Sequence, residues 1–138
     1  MRQKMRGKTA TPLYTGVYAP RRRDAMEELL RFYRFFGLTM NGAIHDLPDY
    51  VPVVLEFVSF LSFAEDPAAA ESRAAARHDV LSRHLHPWAV QTYGRLRTRG
   101  ASRFYQALVG VVRDVAAAEL GIEAELATEK VDHPVRIG

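Results

Sequence analysis

The feature that most constrains this chain is the stretch at residues 46–63, where two acids and two prolines lead into the most apolar run of the sequence. Proline fits an α-helix only within the first turn, so Pro52 requires a helix that begins no earlier than about Tyr50, and we place its start near Asp49. Asp46 or Asp49 can then act as its N-cap. A buried strand is the rival interpretation, but no second strand-like run is available for pairing. We therefore predict a nearly enclosed core helix here.

The flanking segments also have helical patterns, with apolar residues at helical spacing between proline, serine and glycine boundary signals. Four further helices are predicted, over about residues 22–36, 67–85, 87–99 and 102–120. Gly37 and Gly121 are well placed to end the first and the last of these. In the last helix, we expect the large apolar side chains to face the core, namely Phe104, Leu108, Val111 and Val115.

A chain of 138 residues, 48% of them hydrophobic, fits a single domain. We predict an all-α bundle of about five helices over residues 21–121, between a flexible or extended basic arm at 1–20 and an acidic, frayed tail at 122–138. The absence of cysteine excludes a disulfide framework, and no apolar run reaches the roughly 18 residues of a membrane span. We therefore expect a cytoplasmic chain.

Charge is segregated along the chain, although the formal net charge is only +3. Residues 1–23 carry seven basic residues and no acid, whereas residues 24–70 carry eight acids against two arginines. Residues 71–113 are again basic, with eight arginines against two acids, and residues 114–138 are acidic. A protein that wraps nucleic acid usually offers one continuous basic face, whereas an acidic central region suits a basic partner.

The sequence contains no recognisable catalytic or metal-binding motif. His78, His84 and His86 are spaced so that no pair shares a helical face, as two zinc ligands on one helix would. Asp46 and Asp49 could work as an acid and a base, but capping of the core helix explains them more simply. We therefore predict no catalytic residue, no metal site and no enzyme activity.

Glu56 is the one ionisable residue inside the apolar run of the core helix. A buried carboxylate is costly unless it is paired, and Arg31 or Arg34 on the preceding helix could supply the partner. We predict a structural ion pair between Glu56 and one of these arginines.

Three motifs together resemble the TorD/DmsD/NarJ family of molybdoenzyme maturation chaperones. They are PLYTGVY at residues 12–18, MEELLRFYRFFGL at 26–38 and DLPDYVPVVLEF at 46–57. The resemblance covers roughly residues 12–120 and is strongest to the members that serve the type II dimethyl-sulfoxide-reductase and nitrate-reductase group. It implies the C-terminal portion of a TorD-like all-helical fold.

The resemblance implies a chaperone rather than a catalyst. Such a chaperone binds the N-terminal peptide of an apo molybdoenzyme catalytic subunit, often a twin-arginine leader, and assists insertion of the molybdopterin cofactor before folding or export. The client carries that cofactor, so none is expected here. The residues that would line the peptide site are Asp46, Pro48, Asp49 and Tyr50, with Glu56, Arg31 and Arg34 in support. The acidic central region agrees with a peptide that carries arginines and apolar residues.

The chain departs from the family pattern in two places. Many relatives have histidine where this chain has Tyr50, although nitrate-reductase-type members carry tyrosine there. Family members also usually have further helices before the part that Pro12 begins, so we expect apolar surface on the first two helices to lack its cover. A homodimer or a helix-swapped dimer is then expected.

A second hypothesis from another class is a small helical nucleic-acid-binding or regulatory module. It would use the basic arm and the arginines within residues 73–103. It predicts binding that weakens steeply as the salt concentration rises.

Overall fold

The structure is a computed structural model that describes residues 12–40 and 47–122. Within these two ranges the chain forms five α-helices, one 3-10 helix and one π-helix, and no strand. In chain order the elements are the 3-10 helix Thr15–Tyr18, α1 Arg22–Phe35, α2 Val51–Leu61, α3 Pro67–Val80, the π-helix Leu81–Leu85, α4 His86–Thr98 and α5 Arg103–Leu120. The predicted all-α class is confirmed.

Several helix ends lie where local sequence signals predicted them. The Asp66 side chain accepts a hydrogen bond from the Ala69 N–H at 2.8 Å and caps α3, and the Ser102 hydroxyl caps α5 in the same way. Gly37 and Gly121 follow α1 and α5 with φ of 76° and 75°. These positive angles favour glycine because it has no Cβ.

The junction between α3 and α4 differs from the prediction of two separate helices. The backbone stays helical from α3 through the π-helix into α4, without an extended residue between them. The π-helix explains how Pro87 is accommodated, because a proline ring clashes with the carbonyl four residues back in an α-helix. That carbonyl belongs to Arg83, which lies in the wider π turn.

Helix α2 is buried on one side only. Val54, Phe57 and Leu61 are at most 3% exposed, whereas Leu55 is 39% exposed and Glu56 also faces solvent. The ring of Phe57 packs against the rings of Phe32 and Tyr33 in α1 and of Phe36, the residue that follows α1. The prediction that α2 is almost fully enclosed is therefore wrong. On the side that carries Leu55 and Glu56, the described elements cover the helix only in part.

Helix α5 presents the opposite face from the one predicted. Phe104, Leu108, Val111 and Val115 are 67%, 50%, 58% and 56% exposed. The buried residues of α5 are mostly small, namely Val109, Gly110, Ala116 and Ala117. Small side chains let α5 lie close to α4, since a Cβ added to Gly110 would be 3.2 Å from the Tyr93 ring. At Gly110, a larger side chain of α5 would therefore require the Tyr93 ring to shift.

Candidate functional site

The chain just before α2 is held by residues 12–18, which we call the strap. The Thr15 N–H donates to the Asp49 carbonyl, and the Val51 N–H donates to the Leu13 carbonyl, both at 2.8 Å. The strap is fastened at its start by the Trp88 indole N–H, which donates to the Pro12 carbonyl at 3.1 Å. The end of the predicted basic arm is therefore packed against the start of α2.

Asp49 is fully buried and bonds to the strap instead of capping α2. Its carboxylate accepts a hydrogen bond from the Gly16 N–H at 3.0 Å and two from the Arg22 guanidinium at 2.9 and 3.1 Å. Helix α2 begins at Val51, and Tyr50 caps it without a side-chain hydrogen bond. The predicted N-cap role of Asp49 is therefore wrong.

The contacts of Asp49 explain why its burial is tolerated. A buried carboxylate is stable only when charged and hydrogen-bonding partners replace water, and here a guanidinium and a backbone N–H do so. The hydrogen bond to Asp49 raises the pKa of Arg22. Gly16 has no room for a side chain, because an added Cβ would lie 2.7 Å from the Asp49 carboxylate and 2.8 Å from Arg22.

Pro48 and Tyr50 lie on either side of Asp49 and are both half-buried. The Tyr33 hydroxyl donates to the Pro48 carbonyl at 2.8 Å, and burial raises the pKa of this phenol. The Tyr50 ring contacts the strap at Tyr14, with ring centroids 5.3 Å apart. The structure thus brings three of the four predicted peptide-site residues together, while Asp46 lies outside the described residues.

A groove runs beside α2, next to the turn that holds Pro48. Residues 38–40 form one wall and α2 forms the other. Its lining is mainly apolar and aromatic and consists of Tyr33, Leu38, Thr39, Met40, Val53, Glu56, Phe57 and Phe60. We call it the α2 groove. Among the described lining residues, Glu56 is the only ionisable group apart from the Tyr33 phenol, so an exposed carboxylate borders an apolar surface.

Glu56 is not paired with the arginines suggested by the sequence. None of the ion pairs between residues of the described ranges joins it to Arg31 or to Arg34. Arg31 instead lines a second groove between α1 and α3, and Arg34 is exposed on α1. The predicted structural ion pair is therefore wrong, because Glu56 faces solvent and needs no compensating charge.

A polar cluster in which only His84 is buried lies at the π-helix, and sequence reasoning missed it. His84 is 3% exposed, and its Nε2 lies 2.8 Å from the Glu28 carboxylate of α1. Arg83 bonds to the other oxygen of Glu28 at 2.6 Å and lies 3.4 Å from Asp79. Burial lowers the pKa of His84, and the bond to Glu28 opposes this effect. The one sequence signal near this cluster was Pro87, because a proline marks an interruption of the helix before it.

The arginines of the second hypothesis are partly occupied by contacts within the protein. Arg73 donates to the carbonyls of Phe60 and Phe63 at the end of α2, and its guanidinium lies 4.0 Å from the Phe60 ring centroid. Arg77 pairs with Glu119 at 3.2 Å. Arg73 and Arg77 thus connect helices of the bundle, which leaves fewer arginines of residues 73–103 free for a basic face.

Neither a metal site nor a membrane span is found in the described residues. No group of three histidine, aspartate or glutamate side chains there is arranged to hold a metal ion. None of the helices there is long and apolar enough to cross a membrane. In the described part of the chain, the protein is an all-α bundle with an open, mainly apolar groove that Glu56 borders. Such a groove suits the binding of a peptide segment.

The chain belongs to the nitrate reductase delta subunit family, whose model matches residues 4–93. This match confirms the family resemblance seen in the three sequence motifs. No solved structure matches the chain significantly.

Three curated relatives are named as assembly chaperones. The chain is 32% identical over 126 residues to the selenate reductase assembly chaperone protein of Thauera selenatis, covering 86% of this chain and 65% of the relative. It is 33% identical over 115 residues to the perchlorate reductase assembly chaperone protein of Dechloromonas aromatica (strain RCB), covering 78% of this chain and 51% of the relative. It is 34% identical over 134 residues to the chlorate reductase assembly chaperone protein of Ideonella dechloratans, covering 91% of this chain and 69% of the relative. The chain thus spans about half to two thirds of the length of these relatives. These comparisons give the nucleic-acid hypothesis no support.

Proposed function

We propose that this chain is a non-catalytic chaperone for the assembly of a molybdoenzyme. It binds the N-terminal or leader peptide of the apo catalytic subunit and keeps that subunit competent for cofactor insertion before folding or export. Membership of the family and the three relatives named as reductase assembly chaperones support this proposal. Because the peptide must be bound before export, the chaperone acts in the cytoplasm.

The observation that carries the choice of site is Glu56 on the rim of the α2 groove. This exposed carboxylate has no ion pair with a residue of the described ranges and borders the apolar side chains of Val53, Phe57 and Phe60. A leader peptide that carries arginines followed by apolar residues matches both features, since its guanidinium can bond to the carboxylate and its apolar residues can cover the groove.

The residues before α2 have a different role in this proposal from that of Glu56. Asp49 is buried and fully bonded to Gly16 and Arg22, so it positions the turn instead of contacting the peptide. Pro48 and Tyr50 are half-buried beside it and form the end of the peptide site. Asp46 precedes them in the sequence and adds a further carboxylate for a basic peptide.

Calorimetric titration tests the proposal with a synthetic peptide that has two adjacent arginines followed by an apolar run. We expect Glu56→Gln to weaken binding about threefold to fivefold, the range for one partly solvated ion pair. Glu71→Gln removes an exposed acid on α3, outside the groove, and serves as the matched control with unchanged affinity. A peptide with both arginines replaced by glutamine should bind wild type and Glu56→Gln equally, because the ion pair is then absent from both.

Two results would contradict the proposal. If wild type does not bind the peptide, the chaperone function itself fails. If Glu56→Gln and Asp46→Asn both bind the arginine peptide as tightly as wild type, the function can stand but the α2 groove is not the site.

A further inference from the structure

We infer that the peptide site does not end with the α2 groove. It continues past Phe60 into a second pocket, at the turn between α2 and α3, and this pocket takes a second basic residue of the client peptide. We call it the turn pocket, and it is lined by Phe60, Phe63, Ala64, Glu65, Asp66, Ala69 and Arg73. The inference rests on the proposed function, because it concerns how much of the same peptide the chaperone holds.

Phe60 joins the two parts of the site. Its half-buried side chain lines the α2 groove together with Glu56, and it also lines the turn pocket together with Phe63. Phe60 follows Glu56 by four residues, which is about one turn of α2 and about 6 Å along its axis. A peptide whose arginine lies at Glu56 therefore reaches the turn pocket within a few residues.

Phe63 provides the exposed aromatic ring of the turn pocket, since 71% of this residue is accessible to solvent. The backbone of Phe63 is held at the end of α2, because the Arg73 guanidinium donates hydrogen bonds to the carbonyls of Phe60 and Phe63. An apolar peptide residue that covers the Phe63 ring removes apolar area from water, which favours binding. The turn pocket thus extends the apolar surface that the α2 groove offers to the peptide.

Two charged groups among the described lining residues of the turn pocket are already used within the protein. The Asp66 carboxylate accepts a hydrogen bond from the Ala69 N–H and caps α3. The Arg73 guanidinium bonds to the carbonyls at the end of α2 and lies over the Phe60 ring. Carbonyls at this end of a helix carry a partial negative charge, which the guanidinium offsets. Neither group is therefore left to select a ligand.

Glu65 is the third charged group of the turn pocket, and it is available to a partner. It is exposed, and none of the ion pairs within the described ranges involves it. Glu56 has the same two properties in the α2 groove. A carboxylate beside exposed apolar surface suits a guanidinium or ammonium group of a bound peptide. The two carboxylates thus fit a peptide with basic residues at both ends of an apolar segment.

The distance between the two carboxylates sets the length of that apolar segment. From Glu56 to Leu61, the last residue of α2, the helix rises about 7.5 Å. The four residues from Leu61 to Glu65 add at most about 14 Å. An extended peptide covers this combined length of at most about 21 Å with about six residues. We therefore expect the second basic residue about four to six residues after the arginine pair.

Calorimetric titration with two peptides tests the role of Glu65. Both peptides have two adjacent arginines and then about four apolar residues, followed by glutamine in one peptide and by a third arginine in the other. We expect the third arginine to tighten binding to wild type about threefold to fivefold, the effect of one partly solvated ion pair. Glu65→Gln should bind both peptides equally. Glu71→Gln changes an exposed acid on α3 that lines neither pocket, and it should show the same difference as wild type.

A matched pair of phenylalanine variants tests the apolar part of the turn pocket. Phe63→Ala should weaken the binding of both peptides about threefold, because their apolar segment loses the ring that it covers. Phe35→Ala is the control, since Phe35 on α1 is 73% exposed and lines neither the α2 groove nor the turn pocket. Circular dichroism should be the same for both variants and wild type, because both phenylalanines are exposed.

The results separate this inference from the proposed function. If the third arginine tightens binding to Glu65→Gln as much as to wild type, the gain is a general attraction to acidic surface and the inference is overturned. An unchanged affinity of Phe63→Ala would also overturn it, because the peptide then does not cover the turn pocket. In both cases the proposed function stands if Glu56→Gln still weakens binding. If neither peptide binds wild type, the proposed function and this inference fail together.

Discussion

Helices α2 and α5 are the two most apolar elements that the sequence assigned to the core, and they pack in opposite ways. Helix α2 buries large side chains such as Phe57 and Leu61 and exposes Glu56. Helix α5 buries Gly110 and Ala116 and exposes its large side chains. Apolar residues at helical spacing show that a helix has an apolar face, but not which element packs against that face. Side-chain volume at the contact decides which face meets the core.

The sharpest test of this difference is the same substitution in both helices. Leu61→Ala removes a leucine that is 1% exposed and should lower the free energy of unfolding by about 3 kcal/mol through lost burial and a cavity. Leu108→Ala removes a half-exposed leucine and should cost less than about 0.5 kcal/mol in the monomer. Urea unfolding at low protein concentration measures both. Equal losses would mean that Leu108 is covered in the folded protein, contrary to its exposure in the structure.

The start of α2 depends on the buried carboxylate of Asp49. Asp49→Ala leaves the Gly16 N–H without its acceptor and Arg22 without its ion pair, and should cost about 2.5 kcal/mol. Thermal or urea unfolding measures the loss. Asp114→Ala on α5 is the control, because its pair with Arg113 is exposed and contributes at most about 0.5 kcal/mol. A loss no larger than that of the control would contradict a structural role of Asp49.

The close approach of the strap to Asp49 requires a glycine at position 16. Gly16→Ala would place its Cβ 2.7 Å from the Asp49 carboxylate, and we expect a loss of about 2 kcal/mol as the strap shifts. Gly94→Ala has no atom within 4 Å of the added Cβ and lies inside α4. It should therefore raise stability by about 0.5–1 kcal/mol through helix propensity. Melting temperatures that change in the same direction in both variants would contradict this prediction.

A larger side chain on the buried face of α5 should destabilise the fold although it is more hydrophobic. Ala116 is 1% exposed, so Ala116→Leu overfills the interior and should cost about 1.5 kcal/mol. Ala107→Leu, at an exposed position of the same helix, should be nearly neutral. If Ala116→Leu stabilises the protein, the buried face of α5 is loosely packed and the contrast with α2 weakens.

The smallest effect concerns the pH dependence of stability. Because burial lowers the pKa of His84 in the folded protein, the unfolded chain binds more protons on His84 as the pH falls below about 6.5. This group's contribution to stability should therefore be lost as the solution becomes acidic. Replacement by His84→Gln should flatten the slope of melting temperature between pH 7 and pH 5. An unchanged slope in His84→Gln would contradict the prediction.

Much of the candidate site could not have been read from the sequence. Pro48, Asp49 and Tyr50 were correctly placed at the start of α2, but the partners of Asp49 are Arg22 and Gly16, 27 and 33 residues earlier. A local capping rule cannot anticipate such distant partners. The exposure of Glu56 likewise depends on which sides of α2 the neighbouring helices cover.

The sequence alone determined the all-α class and several helix boundaries, including those at Gly37, Asp66, Ser102 and Gly121. These signals act within one or two turns, so they need no knowledge of the fold. The three-dimensional arrangement alone decided that Asp49 is buried, that α3 continues through a π-helix into α4, and that α5 turns its large side chains outward. These outcomes depend on volume and hydrogen-bond partners supplied by distant segments, which no local pattern contains.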